Sequence, residues 1–253
     1  MLILLPPSET KRDGGDGRAL DTALLRFPGL SSSRNDCLDA LVSLAADDAA
    51  TVKALKLGPK QLGEVQRNRV AATSATMPAI DRYTGVLYDA LEAATLPADA
   101  RRFAAQHLVV HSALLGPVGA LDPIPAYRLS HDSRLPGFVL KRHWAGPVAR
   151  ELNAVPGVLL DLRSEGYAAL GPLPDRVGAV YLRVLTVGDD GRRRALNHFN
   201  KQGKGRFTRA LLEAGVDHPD VDSLLDWARA TGWVLDVHAR ADDGRVTELA
   251  LVV

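Results

Sequence analysis

The chain has 253 residues, 46% of them hydrophobic and 24% charged, with a formal net charge of +1. That length suffices for one large core or two small ones, and so small a charge excludes a global electrostatic footprint for nucleic acid or membrane, leaving only a local basic patch. The single cysteine, Cys37, excludes an intrachain disulfide and a cysteine-cluster zinc site, which suits a reducing cytosol.

Residues 1–5 are apolar throughout and read as a buried strand. Five residues before Pro6-Pro7 are too few for a signal peptide or a membrane span, and no other apolar run approaches spanning length. The expectation is a soluble cytoplasmic protein. Ser8, Glu9 and Lys11 follow this strand, offering a hydroxyl, a carboxylate and an ammonium where α/β sheets tend to bind ligands. A capping loop with a solvated ion pair explains the same residues about as well. Residues 14–17 are a polar, glycine-rich loop.

Helices are expected over residues 33–76. Leu38, Leu41, Val42 and Ala45 recur at helical spacing, Val52 and Leu55 continue the pattern, and Gly58-Pro59 breaks it. A further helix covers residues 60–72. Cys37 falls on the apolar face near Leu41 and reads as structural, because only Arg34 is near enough in sequence to lower its pKa. Thr84 is expected to cap a helix over 86–94, although a helix amino terminus with a free hydroxyl can also hold a phosphate. A helix over 97–107 leads into the strand Leu108-Val109-Val110. His107 and His111 would suit a metal on a helix but are too far apart along a strand, so no metal site is expected.

Residues 108–130 continue as a strand, a turn at Gly116-Pro117-Val118-Gly119, an extended segment at Asp122-Pro123-Ile124-Pro125, and Tyr127-Arg128-Leu129. A helix over 141–153 places Trp144 in the core. A strand over 158–162 delivers Arg163, Ser164, Glu165 and Tyr167 at its end. Residues 177–187 form another strand, with a hairpin turn at Asp189-Asp190-Gly191. Residues 192–209 hold seven basic residues and no acid. Within them, residues 201–206 are expected to be a loop. Its glycines would free backbone N–H groups, beside Lys201, Lys204 and Arg206, at the start of a helix over 205–214, an arrangement suited to phosphate. The spacing is not that of a Walker loop. A helix over 220–231 and strands over 233–239 and 246–253 close the chain. Neither repeats nor linkers interrupt it, so the expected class is α+β, a single domain over residues 1–253 with a mixed β-sheet surrounded by helices.

Four motifs, in order, give the chain a family likeness. The first is Pro6-Pro7-Ser8-Glu9 with Lys11. Tyr83-Thr84-Gly85 stands before its helix. The third joins Ser112, Leu114, Gly116, Asp122, Tyr127, Arg128 and Leu129. The fourth runs from Asn197 and His198 through Lys201 and Lys204 to Gly205-Arg206. The chain resembles the YaaA-type peroxide stress proteins of bacteria. It departs from their pattern at Leu115 (usually Tyr), Gly119-Ala120 (usually Arg-Pro), Thr10 (commonly Gly) and Gly166, where Glu usually stands beside the Tyr. The resemblance implies a single-domain fold with a positively charged cleft, a helix-hairpin-helix-like element and a role in peroxide stress.

Two functions follow as expectations. One is largely sequence-independent DNA binding, with Arg128, Lys201, Lys204 and Arg206 lining the cleft. The other is an enzyme acting on a phosphate-bearing small molecule or nucleotide. Its ligand-binding residues would be Ser8, Lys11, Arg128, Ser164, Lys201, Lys204 and Arg206, and its catalytic candidates Glu9, Lys11, Arg163, Tyr167 and His198. The mix of hydroxyls and a carboxylate at three strand ends argues for the second. No motif calls for a cofactor, a metal or a protein partner.

Overall fold

A computed structural model describes the backbone of residues 1–187, 193–194 and 197–253, with side chains for residues 1–186 and 200–253. Strand β1 (Leu2–Leu5) is buried along its whole length, the mark of a strand covered on both faces. The helical cover begins with α1 (Ser31–Leu44), which turns Cys37, Leu38, Leu41 and Leu44 inward. The expected continuation is broken: the side chain of Asp47 accepts from the N–H of Ala50 at 3.0 Å and starts a separate helix, α2 (Asp48–Leu55). Next come α3 (Gly63–Arg69), the two-residue strand β2 (Met77–Pro78), α4 (Ala79–Arg82), α5 (Val86–Leu91) and α6 (Ala98–His107).

The apolar run then gives β3 (Leu108–Ser112). The segment expected to turn is itself a strand, β4 (Gly116–Gly119), antiparallel to β3 with Ser112 opposite Gly116. The reversal occurs three residues earlier, where the Ser112 hydroxyl oxygen accepts from the N–H groups of Leu114 and Leu115 at 3.0 and 2.9 Å. Gly116 is needed for another reason: its φ is +63°, and a Cβ there would lie 3.0 Å from the ring of Trp144. Pro117 is tolerated because β4 is an edge strand.

The rest of the chain supplies β5 (Pro123–Ile124), α7 (Leu140–Ala154) with Trp144 fully buried, β6 (Leu159–Asp161), and α8 (Glu165–Ala168). It closes with β7 (Ala179–Val187), β8 (Arg193–Arg194), α9 (Asn197–Ala214), α10 (Val221–Ala230), β9 (Val234–Arg240) and β10 (Val246–Val252). The expected hairpin at residues 189–191 and Arg192 lie outside the described residues.

The main sheet has the order β4-β3-β1-β6-β7-β10-β9, with β8 paired to the end of β7. Its five central strands, from β3 to β10, are parallel, while β4 and β9 run antiparallel at the edges. β2 and β5 pair separately. Helices packed around this mixed sheet make the fold α+β, as expected. No helix among the described residues is long and apolar enough to cross a membrane.

The largest departure concerns residues 201–206, which are helix and not loop. Two glycines let α9 approach its neighbours closely. A Cβ at Gly203 would stand 2.9 Å from Val253 and 3.2 Å from Val184, and one at Gly205 would stand 2.2 Å from the carbonyl oxygen of Leu87. Gly205→Ala is therefore expected to destabilise the protein by about 1–2 kcal/mol, because overpacking against backbone outweighs the gain of about 1 kcal/mol in helix propensity. Urea unfolding measures this, and a stabilised variant would contradict the packing.

Candidate functional site

After β1 the chain crosses to β3 on one side of it, and later returns to β6 on the other. The carboxyl ends of β1 and β6 therefore meet where the strand order reverses, the place where open sheets leave a crevice. A cavity of about 1270 Å³ opens there. Its floor is residues 6–9, one wall is residues 164–167, and the opposite walls come from α5, β7 and α9; His131, His238 and Glu248 complete it.

Two lysines near this cavity are buried. Lys204 is 5% exposed. Its Nζ lies 3.4 Å from the carbonyl oxygen of Arg163 and 5.9 Å from the centre of the Tyr181 ring. Burial pushes its ammonium down to about 8, against the pull of Asp161 and with the push of Arg183. Lys11 lies beneath the floor. Its Nζ donates to the carbonyl oxygen of Ser8 at 3.0 Å and sits 4.1 Å from the centre of the Tyr127 ring. Burial pushes it down to about 7, with Glu9 opposing. Around it the hydroxyls of Tyr83 and Tyr127 are 2.8 Å apart, and that of Tyr127 is 2.6 Å from Ser112 Oγ. Burial pushes the Tyr83 phenol up to about 12 and that of Tyr127 well above its ordinary value.

Arg163 is engaged elsewhere. It holds Asp161 with two side-chain hydrogen bonds, Nε to Oδ1 at 2.8 Å and Nη2 to Oδ2 at 2.6 Å. Its Nη1 donates to Nδ1 of His111 at 2.6 Å. All three are buried. Since Nδ1 accepts, the His111 proton sits on Nε2, and burial with the adjacent guanidinium holds the ring well below the usual histidine range. Its Nε2 has no hydrogen-bond partner among the described residues.

The cavity's charges are mixed. Among its described lining residues, the cations Arg183, Lys201 and Lys204 face the carboxylates Glu9, Glu165 and Glu248. Arg183 binds Glu248 through Nε–Oε2 at 2.6 Å and Nη2–Oε1 at 3.0 Å. Glu9 is held from outside the lining by Arg128 at 2.8 Å. Tyr167 packs edge-on against His131, with ring centres 5.0 Å apart, and burial raises its phenol's pKa.

Of the residues expected at a site, Ser8, Glu9, Ser164, Tyr167, Lys201 and Lys204 meet in this cavity, and Glu165, one place before the position where the family usually carries its Glu, lines it too. Lys11, Arg128 and Arg163 do not line it. Arg206 faces a separate hollow of about 490 Å³ with Asp89, Glu92 and Arg209, because two residues along a helix turn a side chain away from the direction of Lys204. The side chain of His198 lies outside the described residues. Thr84 does not cap α5; its hydroxyl donates to Thr10 Oγ1 at 3.0 Å, and Gly85 occupies the cap position. The Gly116-to-Gly119 segment is strand and so builds no hairpin between helices. Cys37 is fully buried, and burial pushes its thiol up to about 12. No group of three or more potential metal ligands occurs among the described residues.

Sequence reasoning missed His131, Arg183, His238 and Glu248. Arg183 and Glu248 carry a signal in hindsight, since each is a charged residue within a strand; the two histidines carry none.

The family model described as peroxide stress protein YaaA matches residues 1–238. A UPF0246 protein of Corynebacterium glutamicum strain R is 42% identical over 241 residues, covering 93% of this chain and 95% of its own. UPF0246 proteins of Corynebacterium efficiens and Streptomyces coelicolor are each 41% identical over 259 residues, spanning all of this chain and 100% and 98% of theirs.

Proposed function

The chain belongs to the family of peroxide stress protein YaaA, and from that premise we propose that it is an enzyme acting on a phosphate-bearing small molecule, such as a nucleotide, in the cavity at the ends of β1 and β6. One observation carries this reading. Polar groups from separated stretches of chain converge on one cavity whose described cations and carboxylates are equal in number. A surface that tracks a DNA backbone gains its affinity by neutralising phosphates and needs cations in excess. A small-molecule pocket needs a few convergent polar groups instead. Lys201 supplies the charge for a phosphate, Ser8 and Ser164 supply hydroxyls, and Glu9 accepts from a hydroxyl or amine of the ligand.

DNA contact is the second reading. The exposed side chains of Lys201 and Arg206 on α9 favour it. The test is a titration of the protein and of Lys201→Ala with a nucleotide panel and with duplex DNA, at low and physiological salt. The expected result is a nucleotide that raises the melting temperature of the parent and does so weakly for the variant. Binding to DNA that falls steeply with salt, with no response to any nucleotide, would replace the enzyme reading by the DNA one.

A further inference from the structure

Lysines ordinarily bury their carbon stem and keep the ammonium in water. Lys204 departs from this: the residue as a whole is buried, yet it lines a cavity. The carboxylate that acts on it most strongly, Asp161, has both oxygens engaged by Arg163. Among the described residues the Lys204 amine donates to the Arg163 carbonyl, at a long 3.4 Å, and that oxygen already accepts from the hydroxyl of Tyr181 at 2.9 Å. Among the described residues the amine is thus neither paired with a free anion nor required to satisfy its neighbours. An apolar side chain would fill the same wall without a desolvation cost.

We propose that Lys204 is an amine nucleophile that takes an aldehyde or ketone carbon of the cavity's ligand as an imine. The inference rests on the small-molecule reading of the cavity and narrows the ligand to one with a carbonyl group. The lone pair of the neutral amine forms the Nζ–C bond as the carbonyl π bond opens. The carbinolamine then loses its oxygen, which leaves with the two former amine protons as one water. Burial keeps about a tenth of the amine neutral at pH 7. Asp161 at the end of β6 opposes that effect and Arg183 on β7 assists it. Glu248 on β10 is tied to Arg183, Glu165 on α8 also lies near Arg183, and Lys201 shares the cavity from one turn earlier on α9. Lys11, also depressed, does not line the cavity, and its amine donates to Ser8.

Reductive trapping tests this. The protein is exposed to pyridoxal 5′-phosphate or to pyridoxal, each with sodium cyanoborohydride, and the modified lysines are mapped by peptide mass spectrometry. The expected result is labelling of Lys204 at least about tenfold above the exposed Lys53, Lys56 and Lys60, since burial leaves far more of its amine neutral than an ordinary lysine keeps at neutral pH. Labelling should rise with pH to a midpoint near 8 and vanish in Lys204→Met, with the other sites unchanged. Labelling of Lys204 no greater than that of exposed lysines, with both probes, would overturn the inference whatever the nucleotide titration shows. Equal labelling of Lys204 by both probes would uphold the imine and remove the phosphate from the proposed ligand.

Discussion

Replacing Arg163 by leucine is expected to lower folding stability by about 3–5 kcal/mol, the range for removing one partner of a buried ion pair. Arg163 and Asp161 are at most 1% exposed, so neither charge has access to water as compensation. Without the guanidinium, both Asp161 oxygens lose their side-chain donors, and His111 Nδ1 loses its donor as well. Adding Asp161→Asn to Arg163→Leu should recover part of the loss, because the stranded charge is the larger share of the penalty. Arg163→Lys keeps the charge but not the two-pronged geometry, and should fall between parent and leucine variant. Urea unfolding of the four proteins measures the series. A loss below about 1 kcal/mol for Arg163→Leu, the scale of an exposed pair, would show that the pair is not shielded as described. The same series separates structure from chemistry at a residue that sequence alone makes a catalytic candidate.

Lys11→Met is expected to stabilise the protein at pH 6 by about 1–3 kcal/mol, a discount on the full linkage for the lost hydrogen bond and ring contacts. The folded-state value of about 7 lies below the ordinary 10.5. Protonation therefore opposes folding, and the unfolded chain binds the extra proton. The penalty is fully present below pH 7 and is relieved as pH rises from 7 toward 10.5. Lys204 adds a second rise between about 8 and 10.5. Stability of the parent should therefore climb between pH 7 and 10, with a shallower climb for Lys11→Met and the shallowest for the double variant Lys11→Met, Lys204→Met. Melting temperatures at pH 6 and pH 9.5 check it. A Lys11→Met protein that melts lower than the parent at pH 6 would mean that the amine holds the floor of the cavity together, and would sink this account of its burial. The sign matters for function, since a residue that weakens the fold where it sits invites an explanation in chemistry.

Most strands were legible because each is a short apolar run between turn signals. Residues 2–5, 108–110 and 158–162 read as buried strands from their short apolar runs between turn signals, and the structure has strands there. The ends of two of those strands also carry residues that line the cavity: Ser8 and Glu9 after one, Ser164 and Tyr167 after another. Local patterning alone required the buried Trp144 and the inward face of α1. The family, too, could be read from ordered motifs, because residues that must coexist leave their spacing in the chain.

Residues 201–206 could not be read that way. Two glycines in six residues weigh against a helix by about 2 kcal/mol, and only the neighbours that press against Gly203 and Gly205 reverse that balance. The partners of charged residues were equally hidden. Arg183 meets Glu248, 65 positions away, only because β7 and β10 pair in parallel with Tyr181 opposite Glu248, which puts both side chains on one face. Arg163 looked available for catalysis until the fold placed Asp161 and His111 around it. Thus the sequence determined which segments would be buried and which polar groups would stand at strand ends, since these depend on neighbours in the chain. Which of those groups face one another, and which lysine keeps a depressed amine in a cavity wall, depend on contacts between distant segments, and those only the tertiary structure decided.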